Sequence, residues 1–428
     1  MSRFIKICIF IIIFNCNILA AKTLTEVLNY SLVNNSNILL EQARLENVRA
    51  TKQDGLVGFL PNINASYQRG RKKDDVLAIE RANNLDKMSD QDIRSFNISQ
   101  PIFQGFRNYY KIKEINANIA EATFYYQYKR NEILLAVIEA YFNLYKHRKI
   151  ISLYKDNISL HEKLLSLIRQ RNDLGELAAH DLVIYEEKLF NILLENMEIR
   201  KELFKAEQEY TNLVGHIDFD LEIDKFNVND FPTNQQAFLN VGLASNPNLK
   251  RFKEKTNSII AKLKQMRGAF SPNIELVGEI SEQQSVTYLN NRDLRSESLN
   301  FNVTIPIFQK GSEYFNLHKI NKELSFAKQE YQVNYQELKN NMIKIYKEYS
   351  FYEEMLEENQ LLLKFKQDKI TALNEQVRHG VGDIIDLLNA KIELKNIEVQ
   401  EINNQINYYL SYYKILFFTN KIAVKNEG

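Results

Sequence analysis

The chain carries the short sequence Pro101-Ile102-Phe103-Gln104 twice, and the second copy is Pro306-Ile307-Phe308-Gln309, displaced by 205 residues. A second matching pair consists of Phe59-Leu60-Pro61-Asn62-Ile63 and Phe270-Ser271-Pro272-Asn273-Ile274, displaced by 211 residues. Similar segments at such a spacing indicate an internal duplication, which determines the architecture before any single element is assigned. We therefore predict that the chain folds as two similar halves.

The offset of 205 residues persists without insertion or deletion through the rest of each half. Two equivalent pairs show it: Gly175 with Gly380, and Asp181 with Asp386. The change of offset falls between the proline-containing segments, where a surface loop can alter its length at little cost. We predict a first repeat over residues 22–231 and a second over residues 232–428, each with one helix, two strands and a long helical hairpin.

The N-terminal residues have the layout of a secretory signal peptide. Two basic residues precede an apolar stretch at residues 7–14, and two alanines follow at residues 20–21. This order is typical of a segment that is removed on export, so we predict a signal peptide over residues 1–21. Both cysteines of the chain, Cys8 and Cys16, lie inside it, and the mature chain is therefore expected to contain no thiol.

Four long stretches contain neither glycine nor proline: residues 106–174, 176–214, 312–379 and 383–427. Both residue types interrupt helices, so these stretches are predicted to be helical. Each half then forms a hairpin, with its turn at Gly175 in the first half and at Gly380 and Gly382 in the second. We expect these glycines to act through geometry alone, because a tight turn between helices needs positive φ.

Between the helices lie stretches in which polar and apolar residues alternate: residues 62–68, 95–102, 274–280 and 298–307. This period predicts β-strands with one polar and one apolar face. Such strands, about ten residues long, fit the wall of a membrane barrel with lipid outside and water inside. Four strands cannot close a barrel alone and open edges are not tolerated in lipid, so we predict oligomerisation, with three copies giving a twelve-stranded wall.

Bulk charge and motif content argue against several classes of function. The chain has 55 basic and 54 acidic residues, so it offers no excess positive charge to nucleic acid. One segment, His161-Glu162-Lys163-Leu164-Leu165, begins like a zinc-protease helix but lacks the second histidine. The sequence contains neither a phosphate-binding glycine loop nor a nucleophile elbow. We therefore expect no catalytic residue, no metal site, no cofactor and no nucleic-acid partner.

Taken together, these features resemble the TolC-type family of outer-membrane efflux proteins. The resemblance rests on the signal peptide, on the duplicated order of elements, on the proline-aromatic strand ends at Pro101 and Pro306, and on the turns that lead to Asp181 and Asp386. It implies a mainly α-helical fold with membrane β-structure. Three copies are expected to form a periplasmic α-barrel of long helical hairpins and a twelve-stranded outer-membrane β-barrel.

The resemblance also implies a function. Members of this family are passive exit channels of a tripartite efflux pump or a type I secretion system, located in the outer membrane of Gram-negative-type bacteria and extending into the periplasm. The implied partners are a homotrimer, outer-membrane lipid, a periplasmic adaptor and an inner-membrane transporter, and no enzyme activity is expected. The alternative is an exported helical coiled-coil protein, such as a periplasmic adaptor or a filament subunit, which explains the helices but not the strand pairs.

The resemblance places a periplasmic gate and pore constriction at the helical turns. Asp386 falls on the position of an acidic ring, where three carboxylates that converge on one axis attract cations. Asn389 falls on the position of a second ring, which is neutral unless Asp383, one turn before Asp386, replaces the missing carboxylate. The competing interpretation of Asp386 is a solvated aspartate at the start of a helix.

The contacts that hold the gate shut in the family are only partly matched. Asp181 matches the gate aspartate. Val377 and Gly382, however, stand where the best-known members have a tyrosine and an arginine. Arg378 is the neighbouring candidate for the missing arginine.

Overall fold

A computed structural model describes residues 22–73, 88–216, 221–222, 232–287, 290–308 and 310–422. The expected signal peptide, which holds both cysteines, lies outside these residues. The chain divides into two compact units, and each unit contains segments from both halves of the sequence. Unit 1 comprises Met1–Leu40, Lys129–Ser245 and Lys339–Gly428, and unit 2 comprises Glu41–Tyr128 and Asn246–Leu338.

Each half shows the order of helix, strand, strand, long helix and return helix. The elements of the first half are β1 (Lys22–Thr23), α1 (Leu24–Asn34), α2 (Ser36–Ala50), α3 (Asp54–Val57), β2 (Asn62–Lys73), β3 (Met88–Gln104), α4 (Arg107–Asp173), α5 (Ala179–Val214) and β4 (Leu221–Glu222). Those of the second half are α6 (Gln235–Ser245), α7 (Pro247–Arg267), β5 (Asn273–Thr287), β6 (Asn290–Thr304), α8 (Ser312–Arg378) and α9 (Ile384–Phe418).

The four stretches without glycine or proline form α4, α5, α8 and α9, as predicted, but two boundaries differ. α5 begins only at Ala179, because the turn after α4 continues to Ala178, whose backbone is extended. α9 ends at Phe418, because Asn420 adopts a positive φ of 58° and its side chain is hydrogen-bonded to Asn131. Among the described residues, no helix combines the length and the apolar content needed to cross a membrane.

The four predicted strands form one antiparallel sheet in the order β2-β3-β5-β6. They contain 12, 17, 15 and 15 residues, so the strands extend well beyond the alternating stretches. Pro101 lies inside β3 rather than at its end, and the register shifts between Pro101 and Phe103, since proline has no N–H to donate. β6 ends at Thr304, before Pro306.

The two faces of this sheet differ in chemistry, as the alternation predicted. On the face that we call the apolar face, one row across the four strands reads Ile63, Ile98, Gly278 and Leu299. On the polar face, the adjacent row reads Asn64, Asn97, Glu279 and Ser298. Ile63, Ile98 and Leu299 are all exposed in the single chain, so no residue that the structure describes covers the apolar face at this row.

The long helices of unit 1 pack side by side in the order α5–α4–α9–α8. One contact at each junction shows this order: Arg169 with Glu186 between α4 and α5 (2.8 Å), Asn157 with Asn396 between α4 and α9 (3.1 Å), and Tyr349 with Tyr408 between α8 and α9 (2.8 Å). Asn157 is buried, so the hydrogen bond that its side-chain amide donates to Asn396 fixes how α4 lies along α9. α5 and α8 are therefore the edge helices of this unit.

Unit 2 holds the sheet and a smaller set of packed helices. α7 lies between the N-terminal parts of α4 and α8: Ser258 is hydrogen-bonded to Asn118, and Lys255 forms an ion pair with Glu330 at 2.7 Å. The apolar seam between α7 and α8 consists of Ile259, Leu263, Ile320 and Ala327, all buried. This packing supports the helices directly beside the ends of the strands.

Equivalent positions in the two halves have the same local structure. Asn35 precedes α2, and its side-chain oxygen accepts hydrogen bonds from the backbone N–H groups two and three residues later, at 2.9 and 3.2 Å. Asn246 precedes α7 and does the same, at 3.0 and 3.3 Å. Both asparagines satisfy N–H groups that the first helical turn leaves free. The offset of 211 residues therefore relates helix caps as well as sequence.

Candidate gate at the helical turns

The turns after α4 and α8 share one backbone geometry. Gly175 and Gly380 both have φ of +75°, and in each turn the N–H of the next residue reaches back into the last turn of the preceding helix. Glu176 N donates to Arg171 O at 2.8 Å, and Val381 N donates to Gln376 O at 3.0 Å. This is the C-cap that glycine favours, because other residues are strained at positive φ. The predicted geometric role of these two glycines agrees with the backbone.

Gly382 differs from this prediction, because its φ is not positive. A Cβ atom added at Gly382 comes to 2.8 Å from Cβ of Gln376 and to 3.0 Å from the backbone N of Val377. The residue is therefore needed for close approach between the turn and the end of α8. The expectation of a left-handed backbone was wrong at this position.

Asp383 occupies the N-cap of α9 and makes two kinds of contact. Its carboxylate accepts a hydrogen bond from Ile385 N at 2.9 Å, which caps the helix. It also accepts two from the Arg171 guanidinium, Nη1 to Oδ2 at 2.8 Å and Nη2 to Oδ1 at 2.9 Å. Arg171 is in the last turn of α4, so this ion pair joins the hairpin of the first half to that of the second.

Electrostatics at this ion pair favour the charged forms. The hydrogen bond from Arg171 holds the pKa of the Asp383 carboxyl below its usual range, and the backbone N–H of Ile385 adds to the lowering. Both side chains are about one-third exposed, with relative exposures of 33% and 38%. Solvent therefore screens the pair, and its thermodynamic contribution is small compared with its geometric one.

Asp181 and Asp386 hold equivalent positions near the starts of the two return helices. The Asp181 carboxylate accepts a hydrogen bond from Ala178 N at 3.3 Å, which closes the N-terminus of α5. Asp386 is exposed in the first turn of α9. Within one chain, the bond described for Asp181 is a local helix cap, so a contact between Asp181 and another hairpin remains a prediction.

A groove of about 550 Å³ runs beside Asp386 in unit 1. Its lining includes Asn389 and residues from all four long helices: His161, Lys188, Lys369, Asp386 and Glu393. Glu393 of α9 pairs with Lys366 of α8 at 2.7 Å. Burial lowers the pKa of His161, and the nearby Lys188 ammonium lowers it further. Asn389 thus lies beside charged groups of both signs. The resemblance predicted a neutral ring at Asn389, unless Asp383 supplied the missing carboxylate.

Arg378, the sequence-based candidate for the gate arginine, does not join the two hairpins. It is well exposed, and its guanidinium pairs with Glu375 of the same helix at 2.9 Å. Arg171 makes the contact between hairpins instead. The sequence offered only a weak signal for this, a basic residue in the last turn of a long helix, where the helix dipole favours positive charge.

These residues can hold two helix ends together and can present charge, but they carry no apparatus for covalent chemistry. Within the described ranges, no group of three or more histidine, cysteine, aspartate or glutamate side chains is arranged to hold a metal ion. At the turns, the ion pair between Arg171 and Asp383 connects the end of α4 to the start of α9.

The sequence is similar to a known protein family and to two of its characterised relatives. The sequence model of a family described as "Outer membrane efflux protein" matches residues 27–216 and 239–416. The chain is 20% identical over 412 residues to the outer membrane efflux protein BepC of Brucella suis, covering 95% of this chain and 87% of BepC. It is also 20% identical over 396 residues to the alkaline protease secretion protein AprF of Pseudomonas aeruginosa, covering 88% and 80%.

The fold has relatives among solved structures. The CmeC outer membrane channel of Campylobacter jejuni superposes with a TM-score of 0.72 at 17% identity, covering 95% of this chain and 87% of CmeC. The likeness therefore extends over both halves, including the sheet and all four long helices.

Proposed function

Because this chain belongs to the outer membrane efflux protein family, we propose that three copies close into a ring that forms a passive exit channel, gated at the helical turns. The protein is an outer-membrane efflux channel and not an enzyme. The alternative expectation, an exported coiled-coil adaptor or filament subunit, has no support from the family match or from the four-stranded sheet.

The main support for a ring of three copies is that both edge helices of unit 1 expose apolar side chains. Exposed apolar side chains on α5 are Val183, Phe190, Leu194, Met197 and Phe204, and those on the part of α8 that belongs to unit 1 are Phe351, Met355, Leu361 and Phe365. Many of them recur at steps of three, four or seven residues, which is the spacing of a helix-packing seam. Two different apolar edges on one chain fit a head-to-tail contact of α8 with α5 of the next copy, and such contacts generate closed rings.

The sheet in unit 2 supports the same assembly. Within the described residues, β2 and β6 each pair with a neighbouring strand on one side only. Unpaired backbone groups are not tolerated in lipid, so β6 of one copy is expected to pair with β2 of the next. Three copies supply twelve strands, a number within the range of known membrane barrels. The polar face then lines the water-filled interior, and the apolar face meets outer-membrane lipid.

We assign the gate to the two turns of each copy. The ion pair between Arg171 and Asp383 ties the hairpins together, so the turns move as one body. Asp181 and Asp386 lie just beyond the turns at the starts of α5 and α9, where three copies of each narrow and charge the entrance. Arg378 is exposed and belongs to the edge helix α8, so it is available to a neighbouring copy.

The driving energy comes from partners, because a passive duct moves its cargo only along a gradient. We infer an inner-membrane transporter as the energy source and a periplasmic adaptor that links it to the turns. One relative is named an efflux protein and another a protease secretion protein. A tripartite efflux pump and a type I secretion system are therefore both compatible with this chain.

Membrane fractionation followed by native mass spectrometry of the detergent-extracted protein tests this assembly. We expect the chain in the outer-membrane fraction, with an intact mass three times that of the mature protomer. A monomer in the periplasmic fraction contradicts the proposal. The variant Phe190→Asp, which places a charge in the α5 seam, serves as a control that should shift the trimer towards the monomer.

A further inference from the structure

The apolar face of the sheet changes character along the strands. Near the helices it carries exposed apolar side chains, and the last of these on each strand are Tyr67 of β2, Phe96 of β3, Ile280 of β5 and Leu299 of β6. The helices adjoin the opposite ends of the strands from the β2–β3 and β5–β6 connections. The apolar part of this face is therefore on the helix side, and the rest of the face is on the side of the strand connections.

Beyond these four residues, the same face is charged. The first charged side chains are Arg69 of β2, Arg94 of β3, Glu282 of β5 and Glu297 of β6. Arg71 pairs with Asp90 on the adjacent strand at 2.9 Å, and Tyr67 donates its hydroxyl hydrogen to Asp92 at 3.0 Å. A tyrosine with an apolar ring and a bonded hydroxyl is typical of the boundary between hydrocarbon and headgroups.

The boundary between the two parts runs obliquely across the sheet. Tyr67 is level with Arg94, so the charged part extends two residues further from the connections on β3 than on β2. Phe96 is level with Ile280, so β3 and β5 change together. Ile280 is level with Glu297, which adds a further step of two residues on β6.

The slope of this boundary matches the geometry of a membrane barrel. Across the three strand spacings the boundary shifts by four residues along the strands. With about 3.4 Å per residue and about 4.8 Å between strands, the strands are inclined by about 40° to the perpendicular of this boundary line. Strands of outer-membrane barrels are tilted by about 35–45°. The boundary that slants across the sheet therefore runs parallel to the membrane plane in the assembled barrel.

Arginines and carboxylates share the charged part: Arg69 pairs with Asp92, Arg71 with Asp90 and Arg295 with Glu297. Arg69 and Arg71 are 75% and 72% exposed, and Arg295 of β6 is 63% exposed. Ion pairs this exposed contribute little to stability. Arginine offers a planar fork that binds phosphate oxygens in pairs, and these three side chains are exposed enough to reach outward.

We propose that the outer hydrocarbon boundary of the membrane follows the line Tyr67–Phe96–Ile280–Leu299, and that the charged band beyond it binds phosphate-bearing lipid headgroups of the outer leaflet. This inference rests on the proposed function, because only a closed barrel has an outer surface. It adds the depth at which the barrel sits and the class of lipid that it contacts. The strands therefore project beyond the hydrocarbon by several residues.

The chain contains no tryptophan, so single tryptophans report depth without background. Phe301→Trp lies on the apolar side of the line, Gln284→Trp lies in the charged band, and Asn300→Trp on the polar face is the matched control. Trimers are reconstituted in phosphatidylcholine vesicles with brominated acyl chains. We expect loss of most of the fluorescence at position 301 and little loss at positions 284 and 300. Equal quenching at 301 and 284 contradicts the boundary, and Leu299→Trp repeats the test with a second variant.

The headgroup contact has its own measurement. Spin-labelled phosphatidylglycerol and spin-labelled phosphatidylcholine are compared in the same vesicles, and wild type is expected to immobilise the anionic lipid preferentially. The triple variant R69Q/R71Q/R295Q should lose this preference. Addition of inorganic phosphate to wild type should leave the lipid preference unchanged. Equal preference in wild type and variant contradicts the headgroup contact. Channel conductance of the same vesicles separates the two levels: its absence contradicts the proposed function, and its presence with uniform quenching contradicts only the boundary.

Discussion

Arg171 and Asp383 form a two-pronged ion pair across 212 positions of sequence, with oxygen–nitrogen distances of 2.8 and 2.9 Å. Arg171 ends α4 and Asp383 begins α9, so the pair connects the two helical hairpins of one chain at their turns. Because Asp383 also caps α9, any movement that breaks the pair acts on the first turn of a helix that lies in the middle of unit 1.

Removing the positive charge, with Arg171→Gln, is expected to raise the conductance of the channel. The two hairpins lose their link at the turns, whereas the free energy of unfolding should change by less than about 1 kcal/mol, because the pair is partly exposed. Single-channel recording and thermal unfolding measure the two effects. Arg169→Gln is the matched control, since Arg169 lies near the same end of α4 but pairs with Glu186 of its own hairpin at 2.8 Å, and the conductance of this variant should stay near wild type.

Asp383 has two roles that substitutions can separate. Asp383→Asn keeps a side chain that caps helices well but removes the charge, so it should open the channel without lowering stability. Asp383→Ala loses the cap as well, and we expect a further cost of about 1 kcal/mol. Denaturant unfolding together with conductance checks this. Equal stabilities of the two variants contradict the capping role.

The pH dependence of the gate follows from the lowered pKa of Asp383. A carboxyl whose pKa is lower in the folded state contributes stability above its unfolded pKa and loses it as the pH falls through the folded pKa. The link should therefore persist at neutral pH and open only in acid, below the ordinary range for aspartate. In Arg171→Gln, the acid transition of conductance should disappear or move to higher pH; an unchanged transition assigns it to another group.

The two turn glycines of the second half should respond differently to substitution. Gly380 has positive φ and open space around it, so asparagine, which tolerates this conformation, should be accepted with a small loss of stability. Gly382 has no such φ but has Gln376 and Val377 against it, so Gly382→Asn should be more destabilising than Gly380→Asn. Thermal unfolding of the two variants compares them. The reverse order contradicts the assignment of close approach to Gly382.

The seam on α5 provides a prediction for assembly. Leu194→Asp should weaken the trimer because it places a charge in an apolar contact between copies. Glu209→Gln, an exposed polar change on the same helix, should leave the trimer intact. Native mass spectrometry at matched protein concentration gives the ratio of trimer to monomer. Intact trimers with Leu194→Asp contradict the placement of α5 at the interface.

Much of the fold could be predicted because periodicity and breakers are local signals. The strand alternation and the breaker-free helices were both correctly anticipated. The end of α9 was not, because Asn420 leaves the helix through a contact with Asn131, far away in sequence. The pair of Arg171 with Asp383 was missed for the same reason. The duplication gave no help there, since the position equivalent to Arg171 is Gln376 and the one equivalent to Asp383 is Ala178.

Planar-bilayer recording of the purified wild-type complex tests the central claim most directly, that this chain forms a closed trimeric channel with its own gate. We predict discrete, uniform conductance steps that are small at neutral pH and become larger when Arg171 is replaced by glutamine. A protein that inserts without discrete steps, or that remains a non-conducting soluble species, contradicts the account.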